Sequence, residues 1–212
     1  MPHLLNNILV GVSGISWFAV YVIAAIRGYL DKTYVIPLPA IIANISWEEL
    51  YGTVFANSSP CGRVVPLVWL ALDLPLLCQV FLYWRKDFRF IETPGFLIIV
   101  LGGFIVSVGL IYYAEASGIH YLRYAFPQNL MMSIMFVQML FRRKTLDGQS
   151  IYVGFLKMIG TGSVIICSAF PLTRLSGIDS ILFIGIVYFD LLYILMLHKK
   201  AKQQTINLWK RV

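Results

Sequence analysis

Gly95-Phe-Leu-Ile-Ile-Val-Leu-Gly-Gly-Phe-Ile-Val-Ser-Val-Gly-Leu-Ile-Tyr-Tyr113 runs for 19 residues without a charged side chain. A hydrocarbon layer ~30 Å thick is crossed by about 20 mostly apolar residues in a helix, so this stretch reads as a transmembrane span on its own. Its apolar run is unbroken, without the period-2 alternation of a membrane strand, which argues against a barrel. Outward from it, cuts at charge and turn clusters give six further segments of the same kind, at about Ile8–Ile26, Ile36–Ala56, Val64–Tyr83, Tyr121–Phe141, Ile151–Phe170 and Ile178–Leu197. The connections are short, so residues 1–212 are predicted to be one all-α domain, a bundle of seven transmembrane helices.

The composition agrees with that reading and closes off others. With 59% hydrophobic and only 13% charged residues, the chain is too apolar for a water-soluble globule or a disordered protein. Cys61, Cys78 and Cys167 stand at unrelated spacings, which excludes a disulfide framework. A net charge of +7 invites a nucleic-acid reading, but the cations sit in loops and the tail, so no nucleic-acid partner is expected. Arg27, Lys32, Arg85, Lys86, Arg89, Arg142, Arg143, Lys144, Lys199, Lys200, Lys202, Lys210 and Arg211 fall on one side of the predicted bundle, and Arg63 and Arg174 on the other. Thirteen against two, by the positive-inside rule, places the C-terminus in the cytoplasm and the N-terminus outside. Residues 1–7 contain no Lys or Arg, so the first apolar stretch is expected to be a span rather than a signal peptide.

Charged groups in a spanning helix cost roughly 2.5–3.5 kcal/mol each on insertion scales, so each needs a partner, a cavity or a task. In the second span Asn44, Glu48 and Tyr51 recur at helical spacing and share a face, with Trp47 beside them, while Glu49 points about 100° away. Pairing of Glu48 or Glu49 with Lys157 or Arg123 is the plain structural alternative to chemistry. Glu48 is the sharper candidate, because a carboxyl among apolar neighbours keeps its proton and so suits a general acid. The third span places Asp73 one turn from Trp69, fitting either an interhelical hydrogen bond or catalysis. The seventh carries Asp190 with Tyr188 and Tyr193 nearby and no adjacent cation. Pro127 in the fifth span frees a backbone carbonyl that Gln128 or Asn129 can help satisfy. Lys157 is expected to snorkel toward the cytoplasm. Gly160-Thr161-Gly162 and Gly102-Gly103 read as close-packing sites between helices. Deep aromatics such as Trp47, Trp69, Tyr51, Tyr188 and Tyr193 can pack, or can offer π faces to a cation.

No His/Cys/carboxylate cluster has metal-ligand spacing, since His3, His120 and His198 lie near span edges, so neither metal nor cofactor is expected. There is no Gly-x-Ser-x-Gly elbow, phosphate loop or Asp-rich pair suited to magnesium.

Taken in order, the chain carries Asn44-x-x-Trp47-Glu48, Trp69-x-x-x-Asp73, Arg123-Tyr-Ala-Phe-Pro127-Gln-Asn129 leading to Met132-Ser133, Arg142-Arg143, Gly148-Gln-Ser150, Lys157-Met-Ile-Gly-Thr161 and Asp190-x-x-Tyr193. In these elements, over most of its length, it resembles the integral-membrane terpene cyclases of meroterpenoid and indole-diterpene biosynthesis, a seven-helix family of fungi and some bacteria. The resemblance implies that Glu48 and Asp190 are required for cyclisation. It implies a lipophilic prenylated substrate drawn from the bilayer, and an isomerase- or lyase-type reaction begun by protonating a terminal epoxide or alkene. It also implies residence in the endoplasmic reticulum of a fungus or the cytoplasmic membrane of a bacterium.

The expected arrangement has Glu48 as proton donor with Asp190 orienting it or sharing its proton. Asn44, Asp73 and Tyr193 would stand behind the acid, Trp47, Trp69 and Tyr188 would line the cationic pocket, and Tyr51, Gln128 and Asn129 would contact substrate. The rival reading is a seven-helix transporter of two three-helix repeats. It requires a Pro-Gln pair in the first span to match Pro127-Gln128, and none is there. A retinal-binding receptor is weaker, since the seventh span lacks a lysine at mid-depth for a Schiff base.

Overall fold

The computed structural model describes residues 3–56, 60–119, 121–169 and 176–211, so His120, Phe170 and Arg174 lie outside the described residues, as do the side chains of Cys61 and Arg123. All seven expected segments form α-helices: α1 His3–Asp31, α2 Leu38–Gly52, α3 Pro60–Tyr83, α4 Thr93–Ala116, α5 Tyr121–Arg142, α6 Ile151–Ala169 and α7 Gly177–Gln203. Among the described residues there is no strand.

Five helices, α1, α3, α4, α6 and α7, are long and apolar enough to cross a membrane. The other two differ for separate reasons. α2 has only 15 residues, a rise of about 22 Å at 1.5 Å per residue, short of a ~30 Å core. Pro37 and Pro39 set its start, where a missing N–H costs nothing. Twelve of its 15 residues are buried, as expected of a helix apolar on nearly every face. α5 has the length, but Gln128, Asn129 and Gln138 dilute its apolar content.

The helices close a ring. α1 packs on α6 and α3, α3 on α2, α2 on α4 and more lightly on α5, α5 on α7, and α7 on α6. The acid-bearing second helix is thus enclosed rather than lipid-facing. Small residues allow the close approaches, one from each expected pair. A Cβ on Gly160 would meet Trp17 at 2.9 Å and one on Gly103 would meet Ile42 at 2.9 Å, whereas Gly162 and Gly102 face open space.

At the end where α1, α3, α5 and α7 finish, several of the expected loop cations are built into the structure. Arg27 and Arg143 are buried. Asp31 accepts from Arg27 at 2.5 Å, from Arg211 of the tail at 2.9 Å and from the Gly148 amide at 2.9 Å. Asp87 accepts from Arg143 at 2.7 Å, while Arg143 also donates to the carbonyls of Tyr34 and Asp147. Gly148 has φ +69°, and a side chain there would collide with Arg143 and the Tyr34 carbonyl. Burial opposes ionisation of Asp87, but the Arg143 hydrogen bonds and charge, the Tyr34 phenol and Arg142 outweigh it and hold the carboxyl below its ordinary range.

Candidate active site

Two buried polar clusters sit inside the ring. The first joins α1, α2, α3 and α5. Gln128 Nε2 donates to Asn44 Oδ1 at 2.7 Å, Asn44 Nδ2 donates to the Tyr21 hydroxyl at 3.3 Å, and Tyr21 donates to Glu48 Oε1 at 2.8 Å. Gln128 fixes the Asn44 amide, which fixes the phenol, which delivers its hydrogen to one oxygen of Glu48, and the Asn44 amide also stands beside Asp73. The other oxygen, Oε2, and both oxygens of Asp73 meet no donor in good geometry among the described residues, and the two carboxyls face each other. Exposure is 1% for Glu48 and 0% for Asp73. Two neighbouring buried carboxyls offer only acceptors to one another unless one of them carries a proton, so the pair is suited to holding one.

Rings wall this pair. Centroids run from Tyr21 to Trp69 at 6.5 Å, Trp69 to Trp47 at 6.4 Å, Trp47 to Tyr51 at 4.9 Å, Tyr51 to Phe55 at 5.8 Å and Phe55 to Tyr112 at 5.1 Å. They form one ladder leading away from Glu48 toward the end of α4.

The second cluster joins α5, α6 and α7. Lys157 Nζ lies 2.8 and 3.0 Å from the two Asp190 oxygens and donates to Ser133 Oγ at 2.7 Å. Ser133 in turn donates to the Asn129 carbonyl at 2.9 Å, and Thr161 donates to Asn129 Oδ1 at 3.1 Å. Beside the ion pair, Phe136, Val153, Gly154 and Tyr193 enclose a crevice too tight for water. Gln128 and Asn129, adjacent on α5 and about 100° apart around it, link the two clusters.

Residues 3–176 match the family of Pyr4-like transmembrane terpene cyclases. The chain belongs to that family. It is 27% identical over 165 residues to the Pyr4-family terpene cyclase mfmH of Annulohypoxylon moriforme, covering 72% of this chain. It is 24% identical over 166 residues to the terpene cyclase macJ of Penicillium terrestre, covering 74% of this chain. The matched regions span 65% and 63% of those two proteins, just under two thirds of their length. A shorter match, 36% over 67 residues, or 32% of this chain and 28% of the relative, is to the terpene cyclase andB of Emericella variicolor. The transporter reading finds no support in these relatives, and family membership together with the apolar helices makes this a membrane protein.

Within this cyclase-family bundle the expected site residues separate. Glu48, Asn44, Gln128, Asp73, Trp47 and Trp69 come together, Gln128 through its bond to Asn44. Asp190 does not join Glu48. Its partner is Lys157, which is 2% exposed and does not snorkel, so the expected absence of a cation beside Asp190 is corrected. The carboxyl that neighbours Glu48 is that of Asp73, not that of Asp190. Asn129 serves the second cluster and also donates to the Ala125 carbonyl, two residues before Pro127. The Tyr193 hydroxyl turns to the Ser150 carbonyl, its ring lining the crevice near Asp190. Tyr51 bonds Glu115 at 2.5 Å rather than Glu48. Tyr188 is 59% exposed on the outer face of α7, so its expected place in the pocket wall is corrected. Glu49 is exposed, as its angular offset predicts. Sequence reasoning missed Tyr21, although Trp17-x-x-x-Tyr21 is a deep aromatic pair of the kind singled out in the other spans.

Proposed function

We propose that this protein is a membrane-bound, acid-driven terpene cyclase acting on a lipophilic prenylated precursor, meroterpenoid or indole-terpenoid, and that Glu48 is the proton donor. The arrangement that carries the reading is the Glu48–Asp73 pair, enclosed by rings and oriented by Tyr21. In the proposed reaction the Glu48 O–H bond breaks as its proton passes to a terminal epoxide oxygen or alkene carbon. Epoxide opening, or alkene protonation, leaves a tertiary cation, and successive π pairs then form the ring C–C bonds. The last cation loses a C–H proton to the carboxylate pair, or is captured by a hydroxyl of the substrate whose own proton returns there. Either way substrate and product are isomers and the pair regains its proton. Two close carboxylates in a low-dielectric site cannot easily both be charged, so Asp73 favours a retained proton on Glu48 in the resting site. The rings of Trp47, Trp69 and Tyr21 offer faces to the migrating cation and no nucleophile stronger than a phenol.

Asp190 enters as the counter-charge of Lys157, acting on the acid through α5. A bundle of seven spans with the basic end in the cytoplasm, in the endoplasmic reticulum or a bacterial inner membrane, is the setting that fits the charge asymmetry.

Membranes expressing the protein are to be supplied with a panel of prenylated phenols and indoles, with and without a terminal epoxide, and extracts read by mass spectrometry and NMR for cyclised isomers. Glu48→Gln and Asp73→Asn should each abolish product while the purified protein keeps its melting temperature within a few degrees. Turnover at the wild-type rate in Glu48→Gln would remove that residue from the donor role.

A further inference from the structure

Away from the buried clusters, the ends of α5 and α7 leave a groove of about 420 Å³ at the basic end of the bundle. Its two halves differ in chemistry. Phe141 and Met196 form an apolar side continuous with the outward-facing surface, where Phe141 is 63% and Leu195 66% exposed. The other side carries Lys144, Lys199 and Lys200, with no acid in the lining. The groove therefore straddles the level at which acyl chains give way to headgroups.

The carbonyls that would repel an anion here are already occupied. Lys200 Nζ donates to the Leu140 carbonyl at 2.7 Å and to the Arg143 carbonyl, and Gln204 Nε2 donates to the Lys144 carbonyl at 2.9 Å. These bonds cap the last turn of α5, whose dipole end is otherwise negative. The ammonium groups of Lys144 and Lys199 remain exposed and without a partner among the described residues. Two unpaired cations over a neutralised helix end, next to an apolar wall, complement one kind of molecule. It has a phosphodiester at one end and hydrocarbon at the other.

We infer that this groove holds the headgroup of an anionic glycerophospholipid, with the phosphate between Lys144 and Lys199 and an acyl chain along Phe141 and Met196. Basic recesses between membrane helices on the positive side of a protein suit such headgroups. Lys200 belongs to the frame of the site, since its amine is committed to α5.

The test is lipid retention by the full chain reconstituted in nanodiscs with equal amounts of phosphatidylglycerol and phosphatidylcholine, then released and read by native mass spectrometry. Wild type should retain phosphatidylglycerol over phosphatidylcholine by on the order of tenfold, given the attraction of each juxtamembrane lysine. Lys144→Gln with Lys199→Gln should bring the ratio near parity at unchanged melting temperature. Lys202→Gln with Lys210→Gln removes the same charge from the same end outside the groove and should keep the wild-type ratio. Equal loss in both double variants would assign the effect to the general field of the basic end and overturn the site. So would displacement of the lipid by millimolar inorganic phosphate, which would mark a soluble-anion site, or parity in the wild type. If the Lys144/Lys199 pair lowers the melting temperature, Lys199→Gln alone is the arm that decides, with an expected severalfold fall.

Discussion

Replacing Asp190 by Asn isolates the question of whether that carboxylate takes part in chemistry or balances a charge. The Lys157 ammonium lies 2.8 Å from the nearer Asp190 oxygen, with the two side chains 2% and 5% exposed. After Asp190→Asn it keeps only the Ser133 hydroxyl at 2.7 Å and a neutral amide. Removing one partner of a buried pair costs about 3–5 kcal/mol, and the surviving Ser133 contact puts this case near ~3 kcal/mol. At about 1.4 kcal/mol per decade that is roughly a hundredfold in the folded population. For a chain of this length it is a fall of about 6–12 °C in melting temperature. Adding Lys157→Met removes the stranded cation with a side chain of similar length, and pairs without charge are tolerated in such sites. The double variant should therefore recover most of the lost stability. If Asp190 works only as a counter-charge, cyclisation should return with it. Tryptophan-fluorescence melting in detergent and product yield from supplied precursor are measured on the same preparations. A double variant that melts with the wild type yet forms no product refutes the counter-charge role and puts Asp190 among the reacting groups. An Asp190→Asn protein with unchanged melting refutes the energetic argument itself.

Tyr21→Phe keeps the ring and removes the hydrogen given to Glu48; such a bond is worth about 0.5–1.5 kcal/mol to a neutral acid and about 1.5–3 kcal/mol to the carboxylate left as the proton departs, so kcat should fall on the order of tenfold while KM for the precursor changes little. A change confined to KM would assign Tyr21 to the pocket wall alone. Gly160→Ala would push a methyl to 2.9 Å from Trp17, at a cost of about 1–3 kcal/mol, whereas Gly162→Ala faces open space. Equal melting temperatures for the two would contradict the α1–α6 packing. The Asp87 carboxyl is held below its ordinary value of about 3.9. Its stabilising contribution is therefore complete above that value and is lost as pH falls through the lower, folded one. A melting curve taken from about pH 7 to about pH 3 should drop at its acid end, and Asp87→Asn should lower the plateau and flatten the drop.

The helices were legible because an apolar run of membrane length is a local property. Boundaries failed where a neighbour decides them: Ile36–Ala56 shrinks to Leu38–Gly52, with Pro37 at one end and the Thr53 amide closing on the Glu49 carbonyl at the other. Within a helix, angular arithmetic separates residues that share a cluster from residues that face away from it. Asn44 and Glu48, one turn apart, share a cluster. Tyr188 stands two residues from Asp190, about 200° around the axis, and faces out. Pairings between helices were not legible. Nothing in the 33-residue separation of Lys157 and Asp190 says that α6 lies against α7, and nothing in the sequence says which of two deep acids Glu48 meets. The sequence does register Asn44, Glu48, Asp73, Lys157 and Asp190 as anomalies, and the ring closure of the helices supplies their neighbours.

That closure also explains how two carboxyls that do not touch can both be needed in the proposed reaction. From Lys157 the bonds run to Ser133 and the Asn129 carbonyl, and from the next side of the same helix Gln128 leads through Asn44 and Tyr21 to Glu48. Inside a membrane a buried polar group has no water to turn to, so each donor is held to its acceptor. The orientation of the Tyr21 hydroxyl is then set by the rotation of α5, and that rotation is pinned on its far side by Ser133 and by Thr161 on Asn129. An ammonium stranded on Lys157 by loss of Asp190 drags on Ser133 and loosens this pin, freeing Gln128 to turn and Asn44 to flip, whereas removing both charges leaves Thr161 on Asn129 to hold α5. A flipped amide presents its oxygen to Tyr21 and draws the phenolic hydrogen away from Glu48. In the proposed reaction the Glu48 proton then loses the position that the Tyr21 bond sets for it, while every atom of Glu48 is still present.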